Sequence, residues 1–549
     1  MGINRPKDEP FKKQKDNRKT TERLMNHRQI KTLAFLSTLL ASLQAQGQLL
    51  QTPPKLVITI AIDQLRTDYL EAFTPLYGDK GFRLLMNEGL VYTNASYSFA
   101  NIDRASSIAN ISTGTTPYYN SIVGARWLDR ETLRPVYCVE DGKYPGIQTN
   151  DKSSPQKLST STIGDELKVA TAGKALVYSI APFREAAVLG AGHAADGALW
   201  IDDNNGSWCS SQYYTQGGKK WMKEIDKMQS PNSFVDHLEW EPINQVSGSF
   251  SYFMSGGPQK PFKHKFTSIR KYREYKTSAL VNTHITDMAL KCIDGNEMGA
   301  DGISDMLNLT YYAGTFDHRS ITECGMELQD TYVRLDREIE RLMKSVEDRV
   351  GKGKVLFVVT STGYSDGECT QYAKYNVPVG TFYISRTANL LNMYFGALYG
   401  QGKYVDACFN TEIYLNHKFL EEKRINLAEA TRLAQEFVCL MSGVRNVYSG
   451  QQLMLNVSDL TAKVRNGYHA ERNGDIIIEV SPGWNIYNED NLESQTSRLS
   501  FIPFPIILYG ANVKAERVSQ PVSVDRIAPT IAKSIRIRAP NACVSDALF

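Results

Sequence analysis

Histidine is scarce in this chain: eight residues among 549, one of them, His27, in a basic N-terminal stretch. Cysteine is as rare, also eight, and no two form a Cys-x-x-Cys, which removes support for zinc-knuckle and thioredoxin-type sites. Glycine has no collagen-like period, no repeat of solenoid length is visible, and a 42% hydrophobic content is too high for a disordered chain. The apolar run that comes nearest to a membrane span, residues 32–45, falls short of the roughly 20 residues that a spanning helix needs.

Charge is unevenly placed. Residues 1–31 carry ten Lys/Arg against four Asp/Glu, and residues 32–45 carry none. A basic stretch, a short apolar core and small residues read as a leader with a signal peptide over 1–45, with Met25 as an alternative start to Met1. Without the leader the formal charge moves from +3 to −3, so residues 46–549 are not a nucleic-acid or acidic-membrane binder by charge. The expectation is an exported protein with no transmembrane segment, periplasmic or associated with the outer envelope. Its eight cysteines can pair or remain buried thiols.

The run Lys55-Leu-Val-Ile-Thr-Ile-Ala-Ile-Asp63 is apolar and β-branched throughout, as a central strand of a covered parallel sheet must be. Similar strands are expected near 175–180, 307–312, 355–360 and 504–508, and helices near 78–88, 278–293, 327–346 and 427–441. Strands alternating with helices predict an α/β fold, doubly wound, with a mostly parallel central sheet flanked by helices. Residues 208–275 break the rhythm and read as an inserted cap, with Tyr213, Tyr214, Trp221, Trp240, Tyr252 and Phe253 as either a contact surface or the cap's own core. A second irregular, Tyr-rich stretch runs over 387–420.

In open α/β sheets chemistry sits beyond the carboxyl ends of the strands, and Asp63 stands at the first such end. Its company is Asp63-Gln-Leu-Arg-Thr-Asp-Tyr69, Ser112-Thr-Gly-Thr-Thr-Pro117, Gly192-His-Ala-Ala-Asp-Gly-Ala-Leu-Trp200, Gln329-Asp-Thr-Tyr-Val-Arg-Leu-Asp336 and Val524-Asp-Arg-Ile-Ala-Pro-Thr-Ile-Ala532. Together these segments, spread over nearly the whole of 46–549, resemble the alkaline phosphatase superfamily. The likeness is to its phosphodiesterase/nucleotide-pyrophosphatase branch and to bacterial phosphate monoesterases with a threonine nucleophile. The resemblance implies two zinc ions about 4 Å apart, clamping the attacking and leaving oxygens of a phosphoryl transfer.

Counting from the matched segments, however, most positions that such chemistry requires are occupied by other residues. The nucleophile position falls on Arg104, in Asn101-Ile-Asp-Arg-Ala-Ser-Ser107, and arginine has no nucleophilic oxygen. The first Asp/His ligand pair falls on Thr315 and Arg319, with Asp317 and His318 between them. The second pair falls where Val355–Thr360 runs into Ser361-Thr-Gly-Tyr364, and the last histidine is missing from 491–498. The expected phosphate-contacting Asn, Lys and Arg fall on Ala125, Phe183 and Glu185, the last of which would repel a phosphate. Of the metal ligands only Asp63 remains, as a vestige.

The reading that follows is a degenerate family member: an exported pseudoenzyme with no catalytic residue, no cofactor expected, and a protein partner in the cell envelope. One alternative is a phosphoesterase with a rebuilt site, in which Asp63, Asp103, Asp317, His318 and Asp366 or Glu368 would hold zinc. The other is a metal-free binder that uses Arg104, Arg126 and Arg184 to hold an anion.

Overall fold

The computed structural model describes residues 52–215, 221–243, 261–365, 376–455, 458–489, 493–497 and 502–549. The expected leader at 1–45, and Asp366, Glu368, Tyr252 and Phe253, lie outside the described residues. The run after Lys55 becomes strand β1 (Leu56–Asp63), buried along its whole length. Its side chains divide by parity: Leu56, Ile58, Ile60 and Ile62 enter one core, Val57 and Ala61 the other. Two covered faces leave no position for a polar alternation, which is why the run is continuously apolar.

The central sheet has eleven strands among the described residues. After β1 they are β2 (Leu90–Ser96), β3 (Gly146–Ile147), β4 (Val177–Ile180), β5 (Gly197–Ile201), β6 (Trp208–Ser211), β7 (Asp305–Tyr312), β8 (Val355–Ser361), β9 (Phe504–Gly510), β10 (Glu516–Val518) and β11 (Val522–Ser523). Their order is β10-β2-β9-β8-β1-β7-β4-β5-β6-β3, with β11 beside β2. The middle of the sheet, β8-β1-β7-β4-β5, is parallel, and β9 and β6 flank it antiparallel. Register brings Asp63 beside Tyr312 and Ile62 beside Ser361, so three strands end at one edge.

Seven helices matter here: α1 (Arg104–Thr113), α2 (Arg184–Ala191), α3 (Leu280–Asn296), α4 (Gly325–Val350), α5 (Ile384–Tyr399), α6 (Leu427–Cys439) and α7 (Ile527–Ser534). Helices α3 and α4 cover one face of the sheet, and α1, α2 and α7 the other. The α/β fold, with a mostly parallel central sheet between helical layers, is as expected. Motif residues hold this framework together. Asp336 on α4 accepts the backbone N–H of Gly78 at 2.8 Å and of Phe82 at 2.7 Å, anchoring the start of helix Phe82–Glu88. Asp525 accepts from Ser98 Oγ at 2.6 Å and from Asn110 Nδ2 at 2.6 Å. Gly192 has φ +77°, and a Cβ there would meet Thr162 Oγ1 at 2.3 Å.

Two departures from the sequence expectations stand out. The stretch 387–420 is not irregular: it opens inside α5 and continues into an antiparallel sheet of Val405–Phe409, Glu412–Leu415, Ile476–Val480 and Val444–Ser449. With α5 and α6 this makes a second lobe with its own core. Helix α5 was hidden because Arg386 is its only charge, leaving no polar face to contrast with the apolar one. Among the described aromatics of 208–275 several join the core, while Tyr213 and Trp221 are half-buried. Trp240 and Tyr275 are fully buried and Tyr214 nearly so, and β6 is itself a strand of the central sheet. Trp240 donates its Nε1–H to Asp330 at 2.6 Å, tying this stretch to α4.

The lobe is fastened to the α/β part by arginines. Arg130 reaches Asp475 at 3.2 Å and donates to the Asn473 carbonyl at 2.8 Å, while Arg472 donates to the carbonyls of Ser121 and Lys157 and lies over the Trp127 ring. An Arg130→Ala variant is expected to lose about 2 kcal/mol, the value of charged hydrogen bonds lost at a half-buried position. Urea unfolding with a midpoint unchanged from wild type would show that this clamp contributes nothing.

Candidate functional site

Asp63 is the last residue of β1 and is fully buried. Arg104 is the first residue of α1, whose N-cap is Asp103. The two meet: Arg104 Nε donates to Asp63 Oδ2 at 2.7 Å. The other arm of the same guanidinium, Nη1, donates to Glu185 Oε1 at 2.8 Å, from the start of α2. The group lies against the Phe183 ring, its Cζ 3.4 Å from the centroid. Glu185 is held from its far side by the Tyr137 hydroxyl, which donates to Oε2 at 2.5 Å. Asp63 is completed by Thr362, whose Oγ1 donates to Oδ1 at 2.8 Å while accepting the Gln64 N–H at 2.9 Å. Both oxygens of each carboxylate are therefore engaged.

The electrostatics follow from that geometry. A cation at a helix N-terminus is disfavoured by the helix dipole, so Arg104 depends on its two carboxylates. Burial alone would lower the pKa of Arg104, but the charge of Asp63, the neighbouring Tyr364 and the charge and hydrogen bond of Glu185 together hold the guanidinium well above its ordinary value. Burial alone would likewise raise the Glu185 carboxyl. The Arg104 charge, the Tyr137 hydroxyl and the Arg104 hydrogen bond together hold it below its ordinary value.

The other sequence candidates are accounted for in turn. Asp103 is spent as a cap, accepting from Ser106 N at 2.9 Å, Ser106 Oγ at 2.8 Å and Ala125 N at 2.6 Å. Ser106 is locked in that capping box, and Ser107 Oγ donates to the Thr362 carbonyl at 2.6 Å, so neither buried hydroxyl is a substitute nucleophile. Asp317 and His318 sit on a turn with φ of +48° and +56°. Asp317 accepts from Arg270 at 3.1 Å, and His318 is exposed. Thr315 keeps a buried hydroxyl with no hydrogen-bond partner where the family would place a ligand, and Arg319 points to the surface. No group of three or more His, Cys, Asp or Glu side chains among the described residues is placed to hold a metal ion. Arg104, expected as an anion-binding group, gives its Nε and Nη1 to Asp63 and Glu185. Arg126 and Arg184 do come together, over the ring of Tyr137, at 5.8 and 4.2 Å from its centroid.

Tyr137, Phe183 and Thr362 carry the site and were not singled out as partners from sequence. Glu185 was, but as a group that would repel phosphate. Its replacement and that of Arg104 form a matched pair, a signal legible only if the two positions are assumed adjacent. Beside the site, a cleft of about 500 Å³ lies between the α/β part and the lobe, lined by residues that include Asp103, Arg126, Tyr364, Glu412, Tyr448 and Glu479. The described residues contain no helix long and apolar enough to cross a membrane.

Residues 57–500 match the family described as type I phosphodiesterase / nucleotide pyrophosphatase. Alkaline phosphatase PafA of Elizabethkingia meningoseptica is 27% identical over 510 residues, covering 89% of this chain and 93% of that one. Alkaline phosphatase PhoV of Synechococcus elongatus is 26% identical over 518 residues, covering 90% and 92%. The crystal structure of wild-type PafA superposes with a TM-score of 0.78 at 25% identity, over 90% of this chain and 98% of that one.

These relatives overturn the expectation of no cofactor as it was drawn from sequence: they are metal-dependent, zinc-using phosphatases, so zinc is the group that this framework serves in them. The residues present here do not fit a pair of zinc ions. Asp63 has no free oxygen, and the guanidinium stands where the resemblance places the nucleophile beside the metals. An Arg104→Ala variant leaves two buried carboxylates uncompensated, and a loss of about 3–5 kcal/mol is expected on urea unfolding. Because the Glu185 pKa is depressed in the folded state, its stabilisation is present above about pH 4.3 and is lost as pH falls through the depressed value. Glu185→Gln is expected to flatten that acid limb, and an unchanged limb would contradict the assignment.

Proposed function

Because the chain belongs to the type I phosphodiesterase / nucleotide pyrophosphatase family, we propose that it is an exported pseudoenzyme that uses this scaffold to bind rather than to hydrolyse. One observation carries the reading: the position of the nucleophile holds a guanidinium that bridges Asp63 and Glu185. Acyl- or phosphoryl-type covalent catalysis requires an oxygen, sulfur or nitrogen lone pair poised for attack. A guanidinium kept protonated by two carboxylates has none, and it supplies no group that could take the proton from an attacking water. What remains is a cleft beside the site, of a size suited to a small molecule. The basic stretch and apolar core before residue 46 support export, and a binding or assembly role in the cell envelope follows from that location.

A second reading, an active phosphoesterase with a rebuilt site, is favoured by likeness to enzymes along nine tenths of the chain. Hydrolysis of p-nitrophenyl phosphate and of its bis-ester, with zinc supplied, separates the two. The binding reading expects release no faster than in protein-free buffer, and no difference between wild type and Asp63→Ala. Zinc-dependent turnover abolished by Asp63→Ala would establish the second reading instead.

A further inference from the structure

Outside the Arg104 bridge, the described residues gather two more cations at one aromatic ring and a third in the cleft beside it. Tyr137 is fixed in place by its hydroxyl, which donates to Glu185 at 2.5 Å. Arg126 and Arg184 both lie on its ring, and Lys152 joins them in lining an open cleft of about 670 Å³. Two carboxylates share that cleft, Glu140 and Asp151. Asp151 pairs with Arg184 at 3.2 Å. Arg126 is exposed and its side chain has no hydrogen bond or ion pair among the described residues, and the same holds for Lys152. Cations that converge on one platform repel each other, and here only one of the three is matched by a carboxylate at ion-pair distance.

An oxyanion would complete the set. Guanidinium forks match the oxygens of phosphate or sulfate, each offering paired N–H donors in a plane, and such charge-assisted bonds are the strong ones. The ring lies close beneath the Arg184 guanidinium, at 4.2 Å, and within cation–π range of Arg126. Arg126 and Pro135 also line the 500 Å³ cleft, so a ligand anchored by its anion at Tyr137 can extend its body between the two lobes. We propose that Arg126, Arg184 and Lys152 bind the phosphate or sulfate group of a small-molecule ester. Phe183 and Glu185, where the resemblance places phosphate contacts, are engaged with Arg104 and do not line this cleft. The proposal that this ester is held intact rests on the binding reading above; the anion site itself does not.

Calorimetric titration of the full chain with inorganic phosphate, and separately with inorganic sulfate, in the presence of a chelator, tests the site. One-site binding of either ion is expected, at least tenfold weaker in Arg126→Ala, whose side chain holds no other group in place. Arg184→Gln is expected to weaken it similarly, and Arg445→Ala, in the neighbouring cleft, to leave it within twofold. Binding of phosphate alone assigns a phosphoester, and of sulfate alone a sulfoester. Absence of binding for both ions, binding indifferent to Arg126→Ala, or binding abolished by the chelator overturns the site. Turnover in the ester assay together with Arg126-dependent titration would overturn the binding reading and leave the anion site standing.

Discussion

One guanidinium ties the end of the central strand β1 to the starts of two helices, α1 and α2. Arg104 enters from the N-terminus of α1 and bonds Asp63 at the end of β1 and Glu185 at the start of α2. Each of these carboxylates, alone and buried, would carry a desolvation cost of several kcal/mol. With a cation between them and a hydroxyl on each remaining oxygen, both carboxylates are satisfied. The arrangement is closed on itself. Both oxygens of Asp63 and both of Glu185 face other side chains of the same protein.

Motif residues away from this bridge have structural tasks of their own. Asp336, Asp330, Asp525 and Gly192, in segments that carry the resemblance, brace loops and helix ends, a task indifferent to catalysis. At positions where the resemblance expects groups for chemistry, this chain carries residues that act as a set. Arginine at 104 demands an acid within reach, Glu185 supplies it, and Phe183 offers a ring against which the guanidinium lies. Thr362, where the resemblance expects metal ligands, turns its hydroxyl to Asp63. The same physical rule governs both: a buried charge must be paired, whether by a metal ion or by a side chain.

Much of this fold was legible from the chain itself. The β1 run and the stripe of Leu328, Tyr332, Leu335 and Ile339 are patterns whose period is set by burial, and both appear as expected. The sixteen residues of α5 were not legible, since a helix with one charge shows no contrast between faces. The aromatics of 208–275 were ambiguous for a related reason: aromatic residues suit an interface and a core equally well, and Trp240 chose the core through a partner ninety positions away. In the site, sequence identified Arg104, Asp63 and Glu185 separately. It could not state that the arginine joins the other two, because contact between residues 63, 104 and 185 is a property of sheet order rather than of spacing.

The binding account therefore stands or falls on where the Arg104 side chain is when the protein is offered zinc. A crystal structure from zinc-containing solution, with anomalous data at the zinc edge, reads this directly. The account predicts the guanidinium within hydrogen-bond distance of both Asp63 and Glu185, with no anomalous peak on Asp63. A zinc peak bonded to Asp63, with Arg104 turned out of the site, would contradict it.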